Sequence, residues 1–296
     1  MNKFVLFLLG QKGFQVLNAA IIGGFNASLR LVVVGKDPQM HEDFSDEIFS
    51  LCEDHGIPCC ECKEFAESSF AYEDHIAFAA GWRWLIRESF RQILVFHDSL
   101  LPKYRGFNPL VTALLKKDSE IGVTALIANK DFDCGDIVGS RRVEIIYPVR
   151  VADAIQLVSE LYFDLAKSLF ANVVDESWLQ GIPQDDAQAS FSVWRDDEDY
   201  RIDWSWSADE IAHFTNCLSY PYKGASTICD GNMIRILHAE PVTDVEIANR
   251  DVGKVLFVDE EKPVVICGSG LLRIITATDD EGHNMLPFKK FRLRLK

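Results

Sequence analysis

One stretch of the chain concentrates reactive side chains: Val95-Phe-His97-Asp98-Ser99-Leu100-Leu101-Pro102-Lys103-Tyr104-Arg105-Gly106-Phe-Asn-Pro109. The apolar run Ile93–Phe96 delivers His97 to its carboxyl end, where open α/β sheets keep their sites. A loop rich in glycine and proline follows and carries Lys103 and Arg105. Further on, Ile121-Gly-Val-Thr124 begins another strand, and Asp131-Phe-Asp133-Cys-Gly-Asp136 sets three carboxylates beside a glycine. A histidine at one strand end and a carboxylate at a neighbouring one can serve as a base and its orienter. The competing reading is a histidine bonded to loop backbone, with solvated aspartates around it. Gly10-x-x-Gly13 also stands at a strand-to-helix turn. Its helix N-terminus can face an anion, or the glycines merely permit the turn.

The elements that must position these groups alternate along the first half. Lys3–Leu9 is an apolar strand, and Phe14–Ile22 reads as a helix. Leu31–Val34 is a β-branched run stopped by Gly35. Asp46–His55 carries apolar residues at helical spacing and ends at Gly56. Ile76–Ala80 and Ile93–Phe96 are further short apolar runs. Continuous apolar strands separated by helices predict a parallel sheet covered on both faces. Val151–Phe170 reads as one long amphipathic helix. The polar, breaker-rich stretch Gly181–Ser190 reads as the linker, so the domains are placed at residues 1–186 and 187–296. Beyond it the pattern changes. Ser207 caps a short helix running to Cys217, and Glu210 completes a capping box. Ile234–Ala239, Gly253–Val258, Val264–Cys267 and Gly270–Thr276 read as short strands of a small β-barrel.

Composition narrows the function classes. The chain has 296 residues, 48% apolar and 25% charged, which excludes wholesale disorder and fibrous repeats. Its length suits about two domains. No apolar run reaches the roughly 18 residues of a membrane span. The start, Phe4–Gly10, lacks a small-x-small cleavage site and reads as a buried strand rather than a signal peptide. Eight cysteines without a regular framework fit free thiols in a cytoplasmic protein. A metal site at Cys52, Cys59, Cys60 and Cys62 was weighed against this, but no second CxxC or histidine pair completes it. The net charge is −15, which disfavours phosphate backbones as partners.

His-x-Ser-Leu-Leu-Pro-x-Tyr-Arg-Gly from His97, then Gly122-Val-Thr124, then Asp133-x-Gly-Asp136, resembles the folate-dependent formyltransferases. That family includes methionyl-tRNA formyltransferase and the nucleotide-sugar N-formyltransferases. The likeness continues in Phe191-Ser-Val-Trp-Arg195, Tyr200-Arg-Ile-Asp-Trp204 and Ser219-Tyr-Pro-Tyr-Lys-Gly-Ala225, and so covers most of the chain. The resemblance implies a Rossmann-like parallel-sheet formyltransferase domain followed by a small β-rich, OB-like barrel domain. It implies that His97 and Asp133 are the catalytic pair. His97 would take up the amine's proton or stabilise the tetrahedral intermediate, and Asp133 would orient it. The donor would be formyltetrahydrofolate, with no metal. Its pterin would be held near Gly81, Trp82, Arg83, Trp84, Leu85 and Ile86, and by Asp131, Phe132 and Asp136. Gly10, Lys12, Lys103, Tyr104 and Arg105 would meet the acceptor. In one respect the sequence departs from the family. An asparagine that donates to the developing oxyanion usually stands two positions before the histidine, and here that position is Val95.

Two acceptors share this resemblance. Residues 190–296 hold 13 basic against 18 acidic side chains, which disfavours a tRNA despite the basic tail Lys289, Lys290, Arg292, Arg294 and Lys296. A nucleotide-linked amino sugar carries only two phosphates, and Lys12, Lys103 or Arg105 would suffice. The wording Tyr104-Arg-Gly-Phe-Asn-Pro109 is also more similar to the sugar branch. Formylation of a nucleotide-linked amino sugar, in polysaccharide biosynthesis, is therefore the expectation. Methionyl-tRNA formylation is the alternative, as is a non-catalytic relative that binds folate or a nucleotide sugar, because of Val95. The resemblance leaves room for a homodimer.

Overall fold

The computed structural model describes residues 3–37, 42–66, 72–175, 178–290 and 292–296. In chain order the first elements are β1 (Phe4–Leu8), α1 (Gly10–Ile22), β2 (Leu29–Val34), α2 (Ser45–Asp54), β3 (Cys59–Glu61), α3 (Cys62–Ala66), β4 (Tyr72–Ala80) and β5 (Phe90–His97). They are followed by β6 (Arg105–Gly106), α4 (Pro109–Leu115), β7 (Glu120–Ile127), β8 (Ile137–Glu144), α5 (Val151–Asp175) and β9 (Phe191–Ser192). The last are α6 (Ala208–Leu218), β10 (Ala225–Cys229), β11 (Asn232–Val242), β12 (Val255–Asp259), β13 (Lys262–Ile266) and β14 (Leu271–Thr278). The chain divides into two compact units. The first is Met1–Ala113, Asp118–Ile145 and Ala154–Val193; the second is Leu114–Lys117, Ile146–Asp153 and Trp194–Lys296.

In the first unit a seven-stranded sheet runs in the order β3-β2-β1-β4-β5-β7-β8. The strands from β3 to β5 are parallel, whereas β5–β7 and β7–β8 are antiparallel. The sheet is thus mostly parallel, as expected for the first domain. β8 escaped notice because Ser140-Arg-Arg142 breaks its apolar pattern, as suits a strand at the sheet edge. β1 is buried on both faces, as a continuous apolar strand at the middle of such a sheet must be. One face meets α5, whose Val158, Tyr162, Leu165, Leu169 and Phe170 are buried at helical spacing. There Phe170 stacks on Phe4 at 4.7 Å and meets Phe78 edge-on at 4.9 Å. The other face packs Val5, Phe7, Val33, Phe65 and Ala79 into a cluster that Trp82, Ile86, Ile93 and Val95 join. Helix α1 begins at Gly10 rather than Phe14. Both glycines of Gly10-x-x-Gly13 are helical, and a Cβ on Gly13 would lie 3.0 Å from that of Leu8.

The second unit is an antiparallel five-stranded sheet in the order β10-β11-β14-β13-β12, with α6 packed against β11 and β14. The Ser207–Glu210 capping box forms as the spacing predicts. The tail joins the two edges of the sheet. Val255 N–H donates to Leu293 at 3.0 Å and Leu295 N–H to Gly253 at 2.7 Å, while Ile228 and Lys296 exchange bonds at 2.8 and 3.0 Å. This closes the small β structure. Within the tail, Lys290 pairs with Asp230 and Arg294 with Asp251.

Candidate active site

Alternation along β5 sends successive side chains to opposite faces. Phe96 stacks on Tyr162 of α5 at 5.3 Å, whereas Ile93 and Val95 join the cluster on the other face. His97 shares the face of Val95 and is 7% exposed. Its Nε2 lies 2.8 Å from the Tyr104 carbonyl. A carbonyl only accepts, so the neutral ring carries its proton on Nε2. Nδ1 then presents a lone pair, and it faces Asp133 Oδ1 across 3.6 Å. That gap is too long for a direct hydrogen bond.

Two loops hold the pair. Asp133 sits in the left-handed region at φ 56°, which aspartate tolerates better than most residues, and its Oδ2 accepts the Gly106 N–H at 2.9 Å. Gly106 has φ 99°, and a Cβ there would stand 2.6 Å from the Ser192 carbonyl. Ser99 supports the loop as a turn hydroxyl does, donating to the Lys103 carbonyl at 2.6 Å. Thr124, opposite His97 in β7, donates to the Ser99 carbonyl at 2.7 Å and accepts from Leu101 N–H at 3.1 Å.

The stretch read as a linker is part of this site. Residues 182–193 run back along the catalytic loop, where β9 pairs in parallel with β6. Arg105 N–H donates to Ser190 O at 2.8 Å, Phe107 N–H to Ser192 O at 3.0 Å, and Tyr104 N–H to Ser190 Oγ at 3.0 Å. Gln184, which sequence reasoning missed, donates to both the Asp133 and Gly135 carbonyls at 2.8 Å. Its Oε1 accepts from Arg105 at 3.0 and 2.9 Å. The only hint was a glutamine among breakers. The compact-unit boundary correspondingly falls after Val193 rather than after residue 186.

The residues expected to meet the acceptor are placed as follows. Arg105 is 4% exposed and is held by Gln184 and Asp186, so its charge secures the strap. Lys12 is paired with Asp98. Lys103 pairs with Asp118 at 2.7 Å but is half exposed. Tyr104, at φ 60°, turns its carbonyl to His97 and lays its ring beneath the Lys103 ammonium at 4.8 Å. Burial, reinforced by Asp118, pushes its phenol up. Gly10 is buried in the first turn of α1.

The segment expected to hold the pterin follows β4. Gly81 takes φ 65°, and a Cβ there would lie 2.3 Å from the Leu9 carbonyl. Trp82 meets Phe7 edge-on at 5.2 Å, and its indole Nε1 is buried with no partner among the described residues. Arg83 pairs with Asp37, Trp84 and Leu85 are exposed, and Ile86 packs against the cluster. Across the site, Phe132 is exposed, Asp131 N–H is taken by Asn129, and Asp136 is exposed. An apolar wall of Trp82, Ile86 and Val95 with an unsatisfied buried N–H suits a flat ring with a polar edge. These residues therefore fit a folate.

The cysteine cluster does not converge. Among the described residues only Asp279, Glu281 and His283 bring three ligand atoms together, and Glu281 and His283 are exposed. Burial raises the Cys52 thiol to about 12 and the Cys60 thiol to about 11, and pushes Cys59 and Cys62 up as well. No helix among the described residues is long and apolar enough to cross a membrane.

The chain belongs to the formyl transferase family. Residues 64–160 match the model of the formyl transferase domain, and residues 195–292 that of the formyl transferase C-terminal domain. Methionyl-tRNA formyltransferase of Streptococcus equi subsp. equi (strain 4047) is 30% identical over 195 residues, 66% of this chain and 60% of that protein. The chain thus spans about 60% of the length of the first curated relatives it matches. The fold is similar to the N-formyltransferase from Helicobacter canadensis in complex with folinic acid and dTDP-3-aminofucose. The TM-score is 0.68 at 16% identity, covering 93% of this chain and 99% of that one. It is also similar to HypX from Aquifex aeolicus in complex with tetrahydrofolic acid, with a TM-score of 0.64 at 17% identity, covering 94% of this chain and 44% of that one.

Proposed function

We propose that the chain transfers a formyl group from formyltetrahydrofolate to the amine of a nucleotide-linked amino sugar. The observation that carries this reading is the His97–Asp133 pair, with Nδ1 facing a carboxylate oxygen across 3.6 Å. The bound donor supplies an activated formyl carbonyl. The acceptor amine forms the new C–N bond, the bond from the formyl carbon to the folate nitrogen breaks, and the amine loses one proton. His97 Nδ1 accepts that proton, and the resulting imidazolium is stabilised by Asp133, whose other oxygen is anchored by Gly106. The proton is then available to the departing folate nitrogen.

Three features favour the sugar acceptor. The net charge is −15, which disfavours a polyanion. The fold also spans nearly the full length of a solved sugar N-formyltransferase. Lys103, half exposed in a surface pair, can turn to a phosphate at little cost. The Val95 side chain in its apolar cluster favours a second reading, a relative that binds folate without turnover. The test is turnover with a panel of nucleotide-linked amino sugars and with initiator methionyl-tRNA, alongside binding calorimetry. Transfer to a sugar that vanishes in His97→Asn supports the proposal. Undiminished transfer in that variant removes the assignment of His97. Tight, steeply salt-dependent tRNA binding overturns the acceptor, and folate binding with no turnover on any amine supports the second reading.

A further inference from the structure

Behind the His97 strand end lies a charged group that the reaction does not use. Asp98 follows His97 and turns to the opposite face, where Lys12 of α1 is ion-paired to it and the Tyr162 hydroxyl of α5 donates to it. The same hydroxyl lies 3.2 Å from the Phe96 carbonyl, so its one proton is held close to the backbone on the other side of His97 as well. The Lys12 and Asp98 side chains are only 15% and 20% exposed. Taking two charges from water is costly unless they are paired and hydrogen-bonded, and here each member closes the other's requirement. The partners lie 86 and 64 residues away in sequence, so the contact ties α1, β5 and α5 together at one point.

We propose that Asp98 is a positioning residue: clamped by Lys12 and Tyr162 on the back of the sheet, it fixes the strand end that presents His97 to the front. Lys12 accordingly serves this clamp rather than the acceptor's phosphates. The kinetic side of this inference rests on the formyl-transfer reading, but the geometry does not. The charged groups facing His97 are Asp133, from the loop between β7 and β8, and Asp98 with Lys12 behind the strand end. Tyr162 is neutral, because burial and the neighbouring Asp98 push its hydroxyl well up. Burial pushes the Asp98 carboxyl up, but Lys12 and the Tyr162 hydroxyl outweigh it and hold the group below its usual value. Lys12 and Asp98 thus present His97 with a balanced pair.

The test uses the full chain with two independent readouts: NMR titration of the His97 ring, and steady-state transfer. Asp98→Asn leaves Lys12 unbalanced, so the His97 midpoint should fall relative to the parent. The double variant Lys12→Met/Asp98→Asn removes both charges and should bring the midpoint back to that of the parent. Transfer by Asp98→Asn should drop about 10- to 100-fold in kcat, with both KM values within about twofold, because a misplaced base slows chemistry more than binding. Tyr162→Phe keeps the ring stack on Phe96 and loses only the hydroxyl, and should lower kcat several-fold. It carries the test if Asp98→Asn does not fold. An unmoved midpoint in Asp98→Asn, or an unchanged kcat in Tyr162→Phe, overturns the clamp. A Lys12→Met variant with raised acceptor KM and unchanged kcat overturns the assignment of Lys12. If no variant, nor the parent, transfers formyl groups, the functional reading fails while the titration still decides the clamp.

Discussion

Replacing Val95 by asparagine puts back the donor that the family usually carries two positions before its histidine. Val95 shares the His97 face of β5 and packs against the cluster of Phe7 and Ala79, so its side chain lines the reacting face with hydrocarbon. One oxyanion donor is worth about 2.7–4 kcal/mol in a water-excluded site. Placing an amide in a half-buried apolar surround costs about 1–2 kcal/mol, less where substrate completes its hydrogen bonds. The difference, about 0.7–3 kcal/mol, corresponds to a gain of about 3- to 150-fold in kcat. The assay is single-turnover transfer by parent and Val95→Asn with one verified acceptor, with folded stability measured by urea unfolding. Val95→Thr, nearly the same shape but with a shorter donor reach, is the control. A fast parent whose rate is unchanged in Val95→Asn would falsify the missing-donor argument. Another group then stabilises the oxyanion. Asn108, at φ 49° in the neighbouring loop, is the first to mutate.

Three further outcomes follow from the site geometry. Gln184→Ala removes the bridge between Arg105 and the Asp133 loop, so stability should drop by about 1–3 kcal/mol and kcat should fall with it; an unaltered urea midpoint refutes the bridging role. Gly106→Ala meets the Ser192 carbonyl at 2.6 Å in a left-handed backbone, and should cost about 1–3 kcal/mol while detaching Asp133 from its N–H donor, checked by thermal melting and turnover. The Asp98 carboxyl is held below its ordinary value, so its stabilising contribution is full above about pH 4 and is lost as pH falls through the folded value. The stability gap between parent and Asp98→Asn should therefore narrow as pH falls below about 4 in urea titrations, and a gap independent of pH contradicts the ion pair.

Much of the protein is legible along the chain because it depends on near neighbours. Apolar runs such as Phe4–Leu8 and Ile93–Phe96 mark strands, the Val151–Phe170 periodicity marks α5, and Ser207 with Glu210 marks the start of α6. The Ser-Leu-Leu-Pro-x-Tyr-Arg-Gly loop and the Asp133 loop are local backbone forms, so their residue types point to the site before any folding is considered. What a charge or a polar segment touches across the fold is a different matter. Residues 181–190 look like a linker, because composition records solvation and breakers but not long-range hydrogen bonds. Only when β9 pairs with β6, and Gln184 reaches Asp133 across 51 positions, does the stretch become a wall of the site. Likewise Lys12 and Arg105 read as cations for a ligand, since sequence shows a charge and not its partner. The crossing of α1, β5 and α5 brings Lys12 to Asp98, and the return of the strap brings Arg105 to Gln184 and Asp186. Local propensity therefore determined the elements and the reactive residue types, whereas tertiary packing decided which charges remain available for chemistry.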